Sequence, residues 1–312
     1  MVDNKQQWKA WLYLSPAIVL LLIFTVWPII NTVRLAFLEG YNALSVLTGT
    51  TFKVGIGNFI EVLSYGDFMT CLTNTMLLTV FTVLPSTFLA LLIAVALHSI
   101  KPLQKFLQTI FFLPYVTNSI AIGMVFAAMF NIIGLRPSGD MADSWGIINN
   151  IIMFFGGEPV NWINAQSSYW ANMLVMTVYI VWNALPFKIL ILLGGLQSIN
   201  KQYYEAARVD STPRARVFTH ITVPLLSPML AYVIITGFIG GFKEYSSIVG
   251  IFGDKMGPVG APESLNTMVG YIYTELPKMN YGVASAAALV LFVIIFLVTT
   301  FNNTVIKKYT HF

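Results

Sequence analysis

Tyr203–Pro228, YYEAARVDSTPRARVFTHITVPLLSP, is a polar island between two long apolar runs. With Lys201 just upstream it gathers Glu205, Arg208, Asp210, Arg214 and Arg216, in a chain where only 10% of residues are charged. The flanking runs, Tyr169–Leu193 and Val223–Phe242, are each long enough to cross a bilayer. An Ala-rich segment at the end of two spans, closed by Pro213, reads as a docking element rather than a flexible linker. What it docks onto decides the function.

The whole chain supports a membrane setting. Its 312 residues are 57% hydrophobic, well above the apolar content of a soluble domain. The formal charge of +4 comes from basic residues scattered among loops, so it is no nucleic-acid signal. Cys71 is the single cysteine and reads as an inert small hydrophobe, so no internal disulfide staples the fold. Lys5 and Lys9 precede an apolar run from Trp11 to Ile30 that is too long for a signal-peptide core and has no small-x-small cleavage site; it reads as an uncleaved first span.

The fold expected is an all-α integral membrane protein of about six transmembrane helices, a single transmembrane domain over residues 1–312 with a cytoplasmic loop at about 198–222. The spans fall near Leu12–Phe37, Asn74–Leu97, Leu107–Ile133, Tyr169–Leu193, Val223–Phe242 and Val283–Ile306. With this threading Lys5, Lys9, Lys101, Lys105, Lys201, Arg208, Arg214, Arg216, Lys307 and Lys308 share one side. Arg34, Lys53, Arg136, Lys243, Lys255 and Lys278 occupy the other, where ten of the thirteen acids also lie. The positive-inside rule then places both termini and the polar island in the cytoplasm.

The island carries a resemblance. Glu205-Ala206-Ala207, three residues, the small Ser211, nine residues and then Ile221-Thr222-Val223-Pro224 is a spacing similar to the EAA loop. That loop marks membrane subunits of binding-protein-dependent ABC importers, and Ser211 stands where the family has glycine. Trp11–Pro16, Phe112-Leu113-Pro114, Gly194–Ile199 and Thr267–Tyr273 resemble the carbohydrate branch, in particular its maltose-permease-like first subunit. The resemblance implies a bacterial or archaeal inner-membrane subunit in a larger assembly. Its expected partners are a second homologous permease, two ATP-binding subunits and an extracytoplasmic solute-binding protein. No cofactor is expected on this chain, which has no GxxxxGK[ST] loop; ATP and Mg would sit on the ATPase subunits.

Residue chemistry gives the island a geometry. Ser198 or Asn200 can cap a helix from Lys201 to about Asp210, with Glu205 and Arg208 placed to pair for roughly 0.2–0.5 kcal/mol. Ala206 and Ala207 keep that helix narrow enough to enter a groove. Thr212-Pro213 is expected to start a second helix, with Thr212 as its cap. The resemblance implies that Tyr204, Glu205, Ala206, Ala207, Asp210, Ser211 and Arg214 are the candidate ATPase-coupling residues, with Glu205 as the polar contact. If the turn needs positive φ, Ser211 costs about 1 kcal/mol relative to glycine.

Polar groups inside spans are the candidates for a substrate path. Asn118, Tyr179, Trp182, Asn183, Lys243, Glu244 and Tyr245 are selected, with Pro186 expected to break its helix toward a cavity and Lys243–Glu244 a candidate ion pair. Amides and flat aromatic rings suit a sugar, which offers hydroxyls and apolar C–H faces. Plainer readings stand beside these. Trp27, Trp170 and Tyr271 also suit interfacial anchors; Asn74 and Asn183 suit helix–helix bonds; Lys243 and Glu244 suit solvated positions outside the membrane. Lys188 is expected to snorkel to the inner surface, and Pro85 to kink its span. Trp145–Ile163 is expected along the outer surface. With the Gly/Pro-rich loop 252–265 it serves either to receive a solute-binding protein or as a packing lid.

The expected cargo is an oligosaccharide or polyol, with glycerol-phosphate or amino-acid import as alternative branches. A membrane enzyme is disfavoured, because His98, His220 and His311 form no HExxH, and no GxSxG or carboxylate cluster occurs. No metal site is expected. An ion-coupled carrier is disfavoured by the lack of acids in the spans and of an evident inverted repeat.

Overall fold

The computed structural model describes residues 7–47, 49–64, 66–100, 104–133 and 144–309. Lys5, Lys101, Arg136 and His311 lie outside them, as do the side chains of Lys105, Lys307 and Lys308. Helix α1 (Gln7–Leu21) passes through a π-helical turn into α2 (Trp27–Ala36), and the short α3 (Ala43–Leu47) and α4 (Gly57–Ser64) come after it. Next come α5 (Gly66–Ser99), α6 (Gln104–Val116) and α7 (Ser119–Phe130), then an antiparallel ladder pairing β1 (Ile132–Ile133) with β2 (Ser144–Trp145). Helices α8 (Ile147–Phe154), α9 (Tyr169–Ser198), α10 (Lys201–Val209) and α11 (Arg214–Val217) lead to a second π turn. The chain ends with α12 (Val223–Leu225), α13 (Ser227–Phe242), α14 (Ser246–Phe252), α15 (Met268–Glu275) and α16 (Tyr281–Tyr309).

Trp8–Ala36, Gly66–Ser99, Tyr169–Ser198 and Tyr281–Val305 are each long and apolar enough to cross a membrane. The other two expected spans are not straight. Gln108–Val116 and Ser119–Phe130 meet at 103°, and Arg214–Leu225 and Ser227–Phe242 at 67°. The first bend comes from Asn118, which leaves the helical region at ψ 122° and turns its side chain onto the N–H groups of Ile120 and Ala121. Those donors are satisfied by a cap, so a fresh helix starts there. The second bend falls where Pro228, lacking an N–H, occupies the first turn of α13. Pro186 behaves otherwise. Helix α9 runs unbroken through it for 30 residues, so the expected break is absent: the missing bond is local, and the ring is buried within the fold.

Two compact units result, Met1–Met69 with Tyr271–Val293, and Thr70–Gly270 with Ile294–Phe312. In the first, buried Asn58 ties down the chain leaving α2. Its Nδ2 donates to the carbonyls of Ala36 and Leu38 at 3.0 and 2.7 Å, and its Oδ1 accepts from Gly40 N. Asn42, Asn280 and Glu275 form a second chain of bonds there, extended by the Lys278–Glu275 ion pair at 2.7 Å. The span Trp8–Ala36 buries none of its most apolar window, so lipid or another subunit must cover it.

In the second unit, one apolar cluster centres on Leu78, Met173, Met176, Tyr179 and Ile248, and another on Ala90, Leu192, Leu196 and Leu226. With lipid outside, helices gain little by hiding apolar area and associate by close approach of small residues. Gly123 of α7 and Gly250 of α14 do this, for a methyl group on Gly123 would lie 2.8 Å from the Gly250 Cα. Gly237 and Gly241 of α13 similarly admit Val83 and Thr79 of α5.

Candidate functional site

The polar island folds as a braced helix. Asn200 Oδ1 accepts from Gln202 N at 3.0 Å and starts α10, which only two residues separate from the end of α9. At its far end Ser211 takes φ 52°, Ser211 N donates to Arg208 O at 3.1 Å, and Thr212 N donates to Ala207 O at 2.9 Å. These are the two bonds of a Schellman turn, and its left-handed position is the one that favours glycine. The expected penalty at Ser211 is therefore present. Tyr204 Oη lies 3.3 Å from Thr222 Oγ1, joining α10 to the π turn behind it.

Bracing fixes which face is presented. Ala207 is buried, while Glu205, Ala206, Arg208 and Asp210 are exposed. Tyr203 is 53% exposed and Val209 85%, so a polar helix offers two uncovered apolar side chains with Ala206 between them at helical spacing. Glu205 and Arg208 form no ion pair; the only one among the described residues is Lys278–Glu275. Both long side chains are left to solvent or a partner. The second helix begins one residue later than expected, with Pro213 as its cap and Arg214 as its first residue, and both Arg214 and Arg216 are exposed.

The substrate-path candidates divide. Asn118 caps α7, and Ser119 beside it gathers two of the others: Tyr179 Oη is 3.0 Å from Ser119 Oγ, and Asn183 Nδ2 is 3.4 Å from it. Tyr179 is wholly buried and also bonds the Ser119 carbonyl, so here it locks helices together rather than facing a ligand. Trp182 is partly exposed, with its ring 5.2 Å from Phe126. Lys243 is exposed and does not pair with Glu244 among the described residues. The Glu244 carboxylate instead accepts from the N–H groups of Tyr245 and Ser247, opening α14, where a negative group complements the helix dipole. Tyr245 packs against the first apolar cluster. Asn74 takes the helix-bonding alternative, donating to the Ser264 and Asn266 carbonyls and accepting from Tyr169 Oη at 2.7 Å.

Lys188 does not snorkel. It is 4% exposed, with Nζ bonded to Val83 O, Ser86 Oγ and Thr87 Oγ1 at 3.2, 2.7 and 2.9 Å. Helix α8 packs Ile148 against the cluster holding Phe130 and Trp162, which supports the lid reading, yet leaves Phe154 and Phe155 uncovered.

The structure also assembles aromatics that sequence alone did not connect. Tyr115 of α6 stacks on Phe187 of α9, centroids 5.8 Å apart and planes 18° from parallel, and Tyr232 of α13 lies 6.4 Å from Phe187. Three helices thus contribute to one partly exposed aromatic face. The available signal was weak: Phe187 lies one turn beyond Asn183, but no pattern indicates that Tyr232 turns the same way.

Comparison with known proteins agrees with this architecture. A permease of arabinooligosaccharide transport from Bacillus subtilis is 29% identical over 93% of this chain and 85% of its own length. A lactose transport permease of Rhizobium radiobacter is 27% identical over 91% of this chain and 90% of its own. A solved bacterial ABC transporter that imports the acidic polysaccharide alginate contains a chain with TM-score 0.77 and 22% identity, covering 99% of this chain and 98% of that one. Residues 86–311 match the family described as binding-protein-dependent transport system inner membrane component. The chain is therefore a multi-pass membrane protein of that transport family.

Proposed function

We propose that this chain is one permease subunit of an ATP-driven importer of oligosaccharides or polyols, acting as a single translocation domain. The observation that carries the reading is α10: a helix fixed at both ends that presents Tyr203, Ala206 and Val209 uncovered beside exposed Glu205. A surface so rigid and so bare fits a groove on a partner, and separate ATPase subunits holding ATP and Mg are the partners we assign to it. Tyr204, Ala207, Asp210 and Ser211 hold the shape, whereas Glu205, Ala206 and Arg214 meet the partner.

A second homologous permease would complete the path and cover part of the bare first span. A solute-binding protein would deliver cargo from outside. Lys9, Lys201, Arg208, Arg214 and Arg216 on one side support cytoplasmic termini. The sugar class rests on the named relatives and on the Tyr115–Phe187–Tyr232 face, because aromatic rings stack on the C–H faces of sugars. Transport results if nucleotide binding moves α10 and thereby changes which side the path opens to. Such a ligand must bind the two states differently.

ATPase activity of the reconstituted assembly tests this. Binding proteins loaded with lactose, trehalose or maltotriose should stimulate it. Stimulation only by glycerol-3-phosphate-loaded or amino-acid-loaded binding proteins would replace the cargo class.

A further inference from the structure

Helix α9 carries a lysine that neither docking nor the aromatic face uses. Lys188 lies within the last three turns or so of α9, and only Ile199 and Asn200 separate that helix from α10. Its three N–H donors meet three acceptors, all on α5 and flanking Pro85: Val83 O, Ser86 Oγ and Thr87 Oγ1. The two hydroxyls in turn donate along α5, Ser86 to Thr82 O and Thr87 to Val83 O at 2.7 Å. Every donor is used, and none of the acceptors is a carboxylate. Gly237 of α13 leaves room for the amine, since a methyl group there would lie 3.3 Å from Nζ and 3.1 Å from a Val83 methyl.

A buried amine without an acid is a poor source of stability. Its desolvation is uncompensated by charge pairing, and an apolar side chain of similar length would hold the site as well or better. What lysine adds is direction: a three-point attachment of the inner part of α9 to the stretch of α5 around Pro85, where the proline removes a backbone hydrogen bond. Apolar contacts would let the helices slide; three convergent hydrogen bonds would not.

We infer that Lys188 is a positioning residue, a latch that makes α5 move with α9 when α10 is displaced, so that motion at the docking helix reaches the part of α5 around Pro85. This rests on the importer reading above. With the latch intact, α9 and α5 move as one body. Without it, α9 moves and α5 lags.

The test uses the permease co-purified with its partner subunits in nanodiscs, in a Cys71→Ser background. An environment-sensitive fluorophore is attached through Leu84→Cys, an exposed position beside Pro85. Trapping with ATP and vanadate should shift the emission of the label when Lys188 is present. In Lys188→Met the shift should be lost while ATP hydrolysis continues and the melting temperature stays level. The pair Ser86→Ala, Thr87→Ala, which removes two acceptors, should give the same loss and add nothing to Lys188→Met. A full shift in Lys188→Met, or no shift with Lys188 intact despite trapping, overturns the latch alone. A complex in which no nucleotide is trapped overturns the importer reading, and the latch with it. A purely structural role predicts a lower melting temperature with the shift retained, and that too refutes the latch.

Discussion

Ser211 holds a conformation at φ 52° that glycine adopts without steric cost, so the turn closing α10 carries about 1 kcal/mol of avoidable strain. Ser211→Gly should therefore raise the stability of the loop by about that amount, read as a higher melting temperature, and leave ATPase stimulation intact. Ser211→Val should do the reverse, because a β-branched side chain tolerates that region worst. Lost coupling in the glycine variant would mean that the serine hydroxyl contacts the partner. Ala206 tests the docking surface more directly. It is exposed, so Ala206→Leu should leave the melting of the permease unchanged while reducing recovery of ATPase subunits at least about tenfold, the effect of losing roughly 1.4 kcal/mol. Normal recovery would move the docking surface elsewhere.

Individual elements show how far composition and spacing reach. Helix α10 was readable because its cap, alanines and closing proline are local signals, and its start at Lys201 is dictated by Asn200. Six apolar stretches were readable for the same reason, but their bends were not. A proline in an apolar run has the same appearance whether the helix yields, as at Pro228, or continues, as at Pro186. Asn118 reads as a substrate contact, yet its side-chain oxygen caps α7. Only the competing partner distinguishes those roles, and it lies one turn away in the folded chain. Asn118→Ala should therefore cost about 1 kcal/mol through the lost cap, measured by denaturation in detergent. The α7–α14 crossing is less forgiving. Gly123→Leu places a side chain against the Gly250 backbone and should cost about 1–3 kcal/mol, with α14 displaced in hydrogen exchange. An unchanged melt would show that the two helices separate freely.

At the scale of the molecule, α9 is the rod that joins the two ends of the second unit. Its 30 residues rise roughly 45 Å, more than the hydrocarbon core, so it is long enough to put its two ends on opposite sides of the membrane. Helix α8 flanks one end and the docking helix α10 the other. The proposal puts the α10 side inward on the charge pattern, and this is open to direct test because Cys71 is the only native thiol and is buried. In a Cys71→Ser background, Val209→Cys and Phe154→Cys each put a thiol where the native side chain is more than four-fifths exposed. A membrane-impermeant maleimide added to intact cells should label position 154 and spare position 209 until the membrane is permeabilised. The reverse pattern would put α10 outside, where no ATPase can reach it. Labelling of both in intact cells would mean that α9 does not cross at all. The docking reading survives only the first outcome, because a helix that receives force from nucleotide hydrolysis has to stand where the nucleotide is.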